Sequence, residues 1–450
     1  MQVDPFIFRA YDIRGVMGKT LTGEVMRAIG FCAAKRWPGC YCVSCDIRES
    51  SPALARELIN GLLAGGARVL DAGAQNFGCA LFSGLQSEAD YNFFVTASHL
   101  PPEWNGLKCY TGAGNALSPA DLQDLRRDVE ALEGAPPANG KEEKVVDFTE
   151  AYTDFFANAF HVRKGMKVVV DCGGGATCLT APEAFRKAGF EVVGLFTKVD
   201  PLSRDRPSEP DPRNLTALRE KVLQEKADFG VAFDGDGDRA ALVDERGNFL
   251  TGIELGIVLG EELVRKNRGG LVLMTMACSM RVRQVLEPLG ANVDLIPVGH
   301  TFVIRGCAER GAIFGMEQSG HYVLPDYFAF DDGLLIPFKI AEIMSERNAK
   351  LSELASIVQP CFAEYAVQFP CADEKKFGVA DRLVKELAAK HPDSRQNTMD
   401  GLRLDWKDAW VLVRASNTGP KLLLYIEATT QERFTKLRAE FAELLEKAVS

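Results

Sequence analysis

The sequence predicts a multidomain α/β protein that ends in a smaller α+β domain. Three observations carry this expectation. At 450 residues the chain is too long for a single core, and three or four domains are expected. A strand-like apolar run, a small or acidic loop and a helical pattern recur at Cys42, Val168 and Val272, which marks repeated α/β units rather than a sequence repeat. Beyond about Gln359 the pattern changes. Runs at 365–369, 401–406, 410–414 and 421–428 read as strands, and an amphipathic helix follows from Gln431.

Taken in order, the first notable stretch is Phe8-Arg9-Ala10-Tyr11-Asp12-Ile13-Arg14-Gly15, where Gly15 allows a turn and Arg14 offers a cation to an anion. Residues 39–45 read as a strand. Residues 46–52 then open a helix over 53–63, with serine as its cap and Pro52 in its first turn. Residues 68–70 form the next strand, and Asp71-Ala72-Gly73 its turn. Residues 91–95 are an apolar, aromatic run that reads as a buried strand. It ends on Thr96-Ala97-Ser98-His99-Leu100 and is broken by Pro101 and Pro102, which presents a small hydroxyl where open α/β sheets place ligands. Residues 133–146, with Gly134, two prolines and Gly140 among charged residues, have linker composition.

A strand over 167–170 leads into Asp171-Cys172-Gly173-Gly174-Gly175-Ala176. A dinucleotide fingerprint would need glycine where Cys178 stands, so tight strand-to-helix packing is the expected role. Residues 228–233 form a strand that feeds Asp234-Gly235-Asp236-Gly237-Asp238-Arg239. Another strand is expected over 271–275, with a helical pattern over 280–289. These breaks divide the chain into 1–147, 148–249, 250–363 and 364–450.

Composition narrows the function. Apolar content of 46% and charged content of 25% are those of a globular protein. A net charge of -10 argues against nucleic acid as a partner. An anionic small molecule can still bind where arginine, lysine and a metal gather. No apolar run is long enough to span a bilayer, and the N-terminus, with Asp4 and Arg9, is not a signal peptide, so a cytoplasmic protein without a membrane partner is expected. Of the twelve cysteines, only Cys42 and Cys45 have zinc-like spacing. No second pair follows, and on a strand these two point to opposite faces, so all are expected to be structural thiols.

The chemistry lies in two stretches. Asp234, Asp236 and Asp238 alternate in a glycine-rich loop behind an apolar strand, a donor set suited to Mg²⁺. With Glu245 they match calcium-loop spacing, but Arg239 occupies the position that needs glycine and a strand precedes the loop, not a helix. Ser98 supplies a hydroxyl nucleophile, and the pair suggests Mg²⁺-dependent phosphoryl transfer. Two further clusters offer binding groups. Gly299-His300 and the Glu317–His321 stretch carry polar side chains suited to sugar hydroxyls. Arg414-Ala415-Ser416-Asn417-Thr418-Gly419 suits a phosphate, through charge-assisted bonds and backbone N–H groups.

The order Phe-Arg-x-Tyr-Asp-Ile-Arg-Gly, Thr-Ala-Ser-His-x-Pro, Asp-Gly-Asp-Gly-Asp-Arg, Glu-Gln-Ser-Gly-His and Arg-x-Ser-Asn-Thr resembles the α-D-phosphohexomutase family over nearly the whole chain. The resemblance implies three similar mixed α/β domains and a smaller α+β fourth around a central active-site cleft. It implies interconversion of hexose 1-phosphate and 6-phosphate, of mannose or glucose, with glucosamine as the alternative sugar. Ser98 would carry the phosphoryl group and join Asp234, Asp236 and Asp238 around Mg²⁺. A hexose 1,6-bisphosphate would be both intermediate and activator. Lys108 and Arg14 would assist proton transfer and stabilise phosphoryl charge. Tyr11, His99, Arg239 and His300 would contact substrate, Glu317 and Ser319 would grip sugar hydroxyls, and Arg414, Ser416, Asn417 and Thr418 would hold the non-reacting phosphate. Leu100, Ala277, Met316, Ala415 and Gly419 depart from common family residues, and none of these removes a required chemical group. A monomer or homodimer is expected. A Mg²⁺-dependent sugar phosphatase would share the aspartates, and a silent sugar-phosphate-binding protein would need a damaged site.

Overall fold

The structure is a computed structural model and describes residues 1, 3–137, 143–417 and 419–449. It divides into two compact units. Met1–Leu255 with Ser319–Ala355 forms the first, and Gly256–Gln318 with Ser356–Ser450 the second.

The first unit holds two mixed sheets. The six-stranded one runs Ile13–Val16, Trp104–Thr111, Tyr91–Val95, Cys40–Cys45, Arg68–Ala74 and Lys144–Val145. Its two faces follow the strand period of two. Tyr41, Val43, Phe93 and Val95 meet helices Gly23–Arg36, Ser51–Ala64 and Pro119–Glu130 in one continuous core. The alternate residues face helix Phe77–Gln86: Phe94 meets the Phe77 ring edge-on, and buried Asn92 donates to the Ala80 carbonyl at 2.7 Å. Ser118 and Asp121 form a reciprocal cap at the start of helix Pro119–Glu130, as Ser-Pro-x-Asp spacing allows. The five-stranded sheet runs Phe249–Leu250, Ala240–Asp244, Phe229–Phe233, Lys167–Asp171 and Glu191–Leu195. In both sheets a parallel core is extended on one side by antiparallel strands, so the expected α/β repetition is present.

In the second unit, strand Gly270–Thr275 lies parallel to both Ala291–Ile296 and Phe314–Met316. A separate antiparallel sheet runs Phe362–Pro370, Lys421–Ala428, Ala409–Ala415, Leu402–Asp405 and Arg395–Asn397. Helices Asp373–Lys390 and Gln431–Val449 cover one of its faces through Leu383, Leu387, Phe441 and Leu445. On the other face Trp410, Leu412, Leu423 and Tyr425 pack against Met276, Ala277 and Val298. The α+β ending is thus as the sequence predicts.

Several local expectations change. Gly15 sits inside strand Ile13–Val16 opposite Asn105, not in a turn. Glycine is required there by space, since a Cβ would lie 2.8 Å from both Leu21 Cβ and Thr20 Oγ1. Asp71, Ala72 and Gly73 continue strand Arg68–Ala74. Ser50 flanks helix Ser51–Ala64 without capping it by its side chain; its hydroxyl accepts from Asn105. Part of the expected linker is a strand, because Lys144–Val145 pairs in parallel with Leu70 and Asp71; Gly140 lies outside the described residues. The helical pattern over 280–289 resolves into helix Arg281–Leu286 and a 3-10 turn, Glu287–Leu289, since Pro288 has no N–H to continue the α pattern. The cysteines form no disulfide among the described residues, and nine of the twelve are buried.

Candidate active site

Two strands of the first unit deliver its reactive groups. Tyr91–Val95 brings Ser98 just beyond its C-terminal end. Phe229–Phe233 leads into the aspartate loop, and Ala240–Asp244 returns antiparallel beside it, so residues 234–239 are a hairpin loop between buried strands. Ser98 Oγ donates to Asp234 Oδ2 at 2.9 Å and is 3.3 Å from His99 Nδ1. This approach needs Gly235, where a Cβ would sit 2.5 Å from the Ser98 carbonyl oxygen. Ser98 has φ +53°, a left-handed conformation that costs a non-glycine residue about 1–3 kcal/mol. Such strain persists only where surrounding contacts impose it.

Asp234, Asp236 and Asp238 are buried and turn one oxygen each to within 4.8 Å of the others. Burial and the Asp238 charge raise the Asp234 pKa. Asp236 Oδ1 and Asp238 Oδ1 are buried and accept no hydrogen bond. Buried carboxylate oxygens left this way call for a cation, and an all-oxygen, strongly negative set suits Mg²⁺. The residues fit the metal expected from the sequence.

Lys108 lies on strand Trp104–Thr111, in register with Phe94. Its ammonium donates to Asp236 Oδ2 at 2.9 Å and Asp238 Oδ2 at 2.5 Å, and rests 4.5 Å from the Phe77 ring centre. Burial would depress its pKa, but Asp236 and Asp238 outweigh burial and raise it, so Lys108 is charged. Arg239 gives both terminal nitrogens to Glu209, at 2.7 and 3.0 Å, and also reaches Asp234 Oδ2 at 3.2 Å. Despite the desolvation it suffers, Glu209 is held down to about 2, chiefly by the Arg239 charge. Desolvation, then the Arg239 charge, lowers the His99 pKa, so its ring is neutral at pH 7. Arg14 Nε donates to Asp12 Oδ2 at 2.5 Å from strand Ile13–Val16, and half-buried Tyr11 precedes that pair. Exposed Ser319 lies in this unit just ahead of His321, whose Nδ1 is 2.6 Å from Asp331 Oδ2.

The second unit holds the other expected binding residues, His300, Glu317, Arg414, Ser416 and Asn417. Arg414 closes strand Ala409–Ala415 and its Nε donates to Asp400 Oδ2 at 3.0 Å. The same carboxylate oxygen accepts the Val298 N–H at 2.9 Å, and Asn417 Nδ2 donates to the Val298 carbonyl at 3.1 Å. Gly299, with φ +146°, then starts helix His300–Arg310. The structure therefore joins Arg414, Ser416, Asn417 and His300 in one neighbourhood. Glu317 follows strand Phe314–Met316, and its Oε2 is buried without a hydrogen-bond partner, which fits a ligand hydroxyl. Thr418 lies outside the described residues.

Arg48, Thr96, Glu209 and Asp400 carry roles that their sequence context does not assign. Each acts through a contact remote in sequence, and only Arg48 carried a local signal, the Asp-x-Arg directly after a buried strand.

Comparison with known proteins places this geometry. Family models for phosphoglucomutase/phosphomannomutase match in chain order: α/β/α domain I at residues 5–135, domain II at 150–247, domain III at 251–361 and the C-terminal domain at 367–444. A phosphomannomutase/phosphoglucomutase of Pseudomonas aeruginosa is 33% identical over 445 residues, covering 98% of this chain and 95% of that protein. A probable phosphoglucosamine mutase of Methanopyrus kandleri is 31% identical over 457 residues, covering 98% of each. A phosphoglucomutase/phosphomannomutase family protein of Burkholderia thailandensis has a solved structure that superposes with a TM-score of 0.90 at 29% identity, covering 99% of this chain and 98% of that one. An N-acetylphosphoglucosamine mutase of Aspergillus fumigatus, solved with GlcNAc-6P and magnesium, shares the fold at a TM-score of 0.61 and 13% identity, covering 100% of this chain and 96% of that one. No described helix is long and apolar enough to cross a membrane. With four matched domains in order and full-length relatives, the chain belongs to the phosphoglucomutase/phosphomannomutase family.

Proposed function

We propose that this phosphohexomutase interconverts the 1- and 6-phosphates of mannose or glucose through a phosphoryl group carried on Ser98 and a bound hexose 1,6-bisphosphate. The observation that carries this reading is the 2.9 Å contact between Ser98 Oγ and Asp234, inside a cluster of three buried aspartates with Lys108 and Arg239 beside it. Ser98 binds phosphorus, and Asp234, Asp236 and Asp238 hold the metal. We assign the metal as Mg²⁺, the ion that a solved relative of the same fold contains. When bound, Mg²⁺ supplies positive charge against the transferring phosphoryl group.

The remaining steps belong to the chain. The sugar hydroxyl attacks phosphorus as the bond from phosphorus to Ser98 Oγ breaks, and its proton replaces the one that Lys108 passes to the departing Ser98 Oγ. In the return transfer Ser98 Oγ becomes the nucleophile, its proton directed at Asp234. Charged Lys108 and Arg14 face the developing phosphoryl charge and act as electrostatic stabilisers, with Lys108 as the proton donor to the departing oxygen. Arg414, Ser416, Asn417 and Thr418 hold the phosphate that is not reacting, and Glu317 and Ser319 accept from sugar hydroxyls. Tyr11, His99, Arg239 and His300 complete the substrate contacts. The bisphosphate has phosphate at both ends, so turning it round presents the second one to Ser98 with the same binding groups. We place the domain boundaries near 147, 249 and 363.

A second reading has its own support, because relatives at 31% identity are named probable phosphoglucosamine mutases. One assay tests both. Mannose, glucose and glucosamine 1-phosphates are each incubated with Mg²⁺ and a trace of the matching bisphosphate, and 6-phosphate is measured beside inorganic phosphate. Isomerisation of mannose or glucose phosphate without phosphate release is expected; preference for glucosamine moves the assignment to the second reading. Steady release of phosphate without isomerisation would make the protein a phosphatase.

A further inference from the structure

We infer that Arg48 is a positioning residue that imposes the conformation of the Ser98 loop, an inference that rests on the phosphoserine reading above. Arg48 lies beyond strand Cys40–Cys45, the parallel neighbour of the strand that delivers Ser98, and is 6% exposed. Its guanidinium is spent on the loop's own backbone. Nη2 donates to the carbonyls of Ser98 at 2.7 Å and Leu100 at 2.6 Å, and Nη1 to those of Pro101 at 2.8 Å and Trp104 at 3.3 Å. Four carbonyls from 98 to 104 therefore converge on one side chain. Pro101 and Pro102 have no N–H to offer, so this stretch has few backbone donors of its own.

The anchor behind Arg48 closes the arrangement on the nucleophile. Asp46 Oδ2 lies 3.2 Å from Arg48 Nε and accepts from Thr96 Oγ1 at 2.8 Å, while its Oδ1 accepts from Ser51 Oγ at 2.5 Å. Thr96 Oγ1 in turn accepts the Ser98 N–H at 2.9 Å. Ser98 is thus held at both of its backbone polar groups, its N–H through Thr96 and its carbonyl by Arg48, across the one residue with left-handed φ in this loop. The clamped carbonyl is also the atom against which Gly235 of the aspartate loop fits. Only a planar guanidinium presents five donors in a fixed fork. A lysine ammonium is a compact point charge with three donors and cannot serve four divergent carbonyls.

The test compares Arg48→Lys, which keeps the charge beside Asp46, and Arg48→Met with wild type. Each protein is phosphorylated with glucose 1,6-bisphosphate, and the single-turnover rate constant for transfer from Ser98 to glucose 1-phosphate is measured. Unfolded protein lowers the amplitude of this reaction and not its rate constant, so a merely structural role leaves the constant unchanged. Lys339→Met, which breaks another buried pair with Glu342 at 2.7 Å, is the control for that. Both Arg48 variants are expected to lose on the order of 100-fold in the rate constant, and amides 96–104 to exchange with deuterium faster than in wild type. If Arg48→Met does not fold, Arg48→Lys alone decides. A wild-type rate constant with unchanged exchange in Arg48→Lys overturns the inference. Faster exchange in Arg48→Lys, in a protein whose wild type isomerises no hexose phosphate, leaves the clamp standing and removes the mutase reading instead.

Discussion

Ser98 and Arg414 lead to opposite predictions because the proposed mechanism has one react with the substrate and the other only hold it. On the proposed mechanism Ser98 exchanges a phosphoryl group, so Ser98→Ala should abolish turnover while leaving thermal unfolding unchanged, read by isomerisation assay and calorimetry. Arg414 is held by Asp400 next to the Val298 backbone, and in the proposed function it contacts a phosphate that does not react. Arg414→Ala should therefore raise KM for the hexose phosphate by roughly 10- to 100-fold, the worth of about one charged hydrogen-bonded contact, with a smaller change in kcat. Equal KM in wild type and variant would place the phosphate elsewhere. At this scale the sequence was informative where a residue type carries its own chemistry. Three alternating aspartates behind an apolar strand can be read directly. The partners that hold the site's other groups cannot, since Glu209, Thr96 and Asp400 are ordinary polar or charged residues until the fold brings Arg239, Ser98 and Arg414 to them.

The elements explain why small residues surround the site. The Ser98 loop and the aspartate loop touch through backbone atoms, and Gly235 occupies a position where a Cβ would meet the Ser98 carbonyl at 2.5 Å. Gly235→Ala should force the two loops apart and lower kcat by on the order of 100-fold through misplacement of Ser98 against Asp234. Stability should fall by only about 1–3 kcal/mol, the usual cost of overpacking. Steady-state kinetics beside urea unfolding would show it, and an unchanged kcat would mean the loops do not need this contact. Strands buried on both faces were the most legible elements, because runs such as Val168 to Val170 and Gly230 to Phe233 have no polar alternative. Strand Trp104–Thr111, which carries Lys108, was not. Its Asn-Gly start and the prolines before it read as loop, and only pairing with Tyr91–Val95 and Ile13–Val16 makes it a strand. The short strand Lys144–Val145 escaped for the same reason: its exposed residues gain their conformation from the neighbouring Leu70 and Asp71.

Within the first unit as a whole, buried Asp332 is expected to link pH to stability. Asp332 accepts from Tyr152 Oη at 2.8 Å and from the Leu334 N–H at 2.9 Å, beside Asp331. Burial pushes its pKa up to about 7. An unfolded aspartate titrates near pKa ~3.9, so between about pH 4 and pH 7 the folded protein keeps a proton that the unfolded chain has released. Stability of the metal-free protein should therefore fall as pH rises through that window. Asp332→Asn should flatten the slope, as measured by urea unfolding at pH 5 and pH 7 in the presence of a chelator. A slope unchanged by the substitution would place the responsible group elsewhere. The α/β class, the recurrent units and the α+β ending were legible at this scale, because each rests on periodicity and chain length. Long-range placement was not, because the groups that Asp332 meets, Tyr152 among them, are set by packing between segments far apart in the chain.

In the proposed mechanism Ser98 carries the phosphoryl group between two positions on a hexose. The most direct measurement is intact mass and peptide mapping of the protein after incubation with glucose 1,6-bisphosphate and Mg²⁺, repeated after adding unlabelled glucose 1-phosphate. A single phosphoryl group on Ser98 that disappears on addition of the monophosphate, with bisphosphate formed in equal amount, is predicted. A phosphoryl group on another residue, or one on Ser98 lost only as inorganic phosphate, would contradict the account.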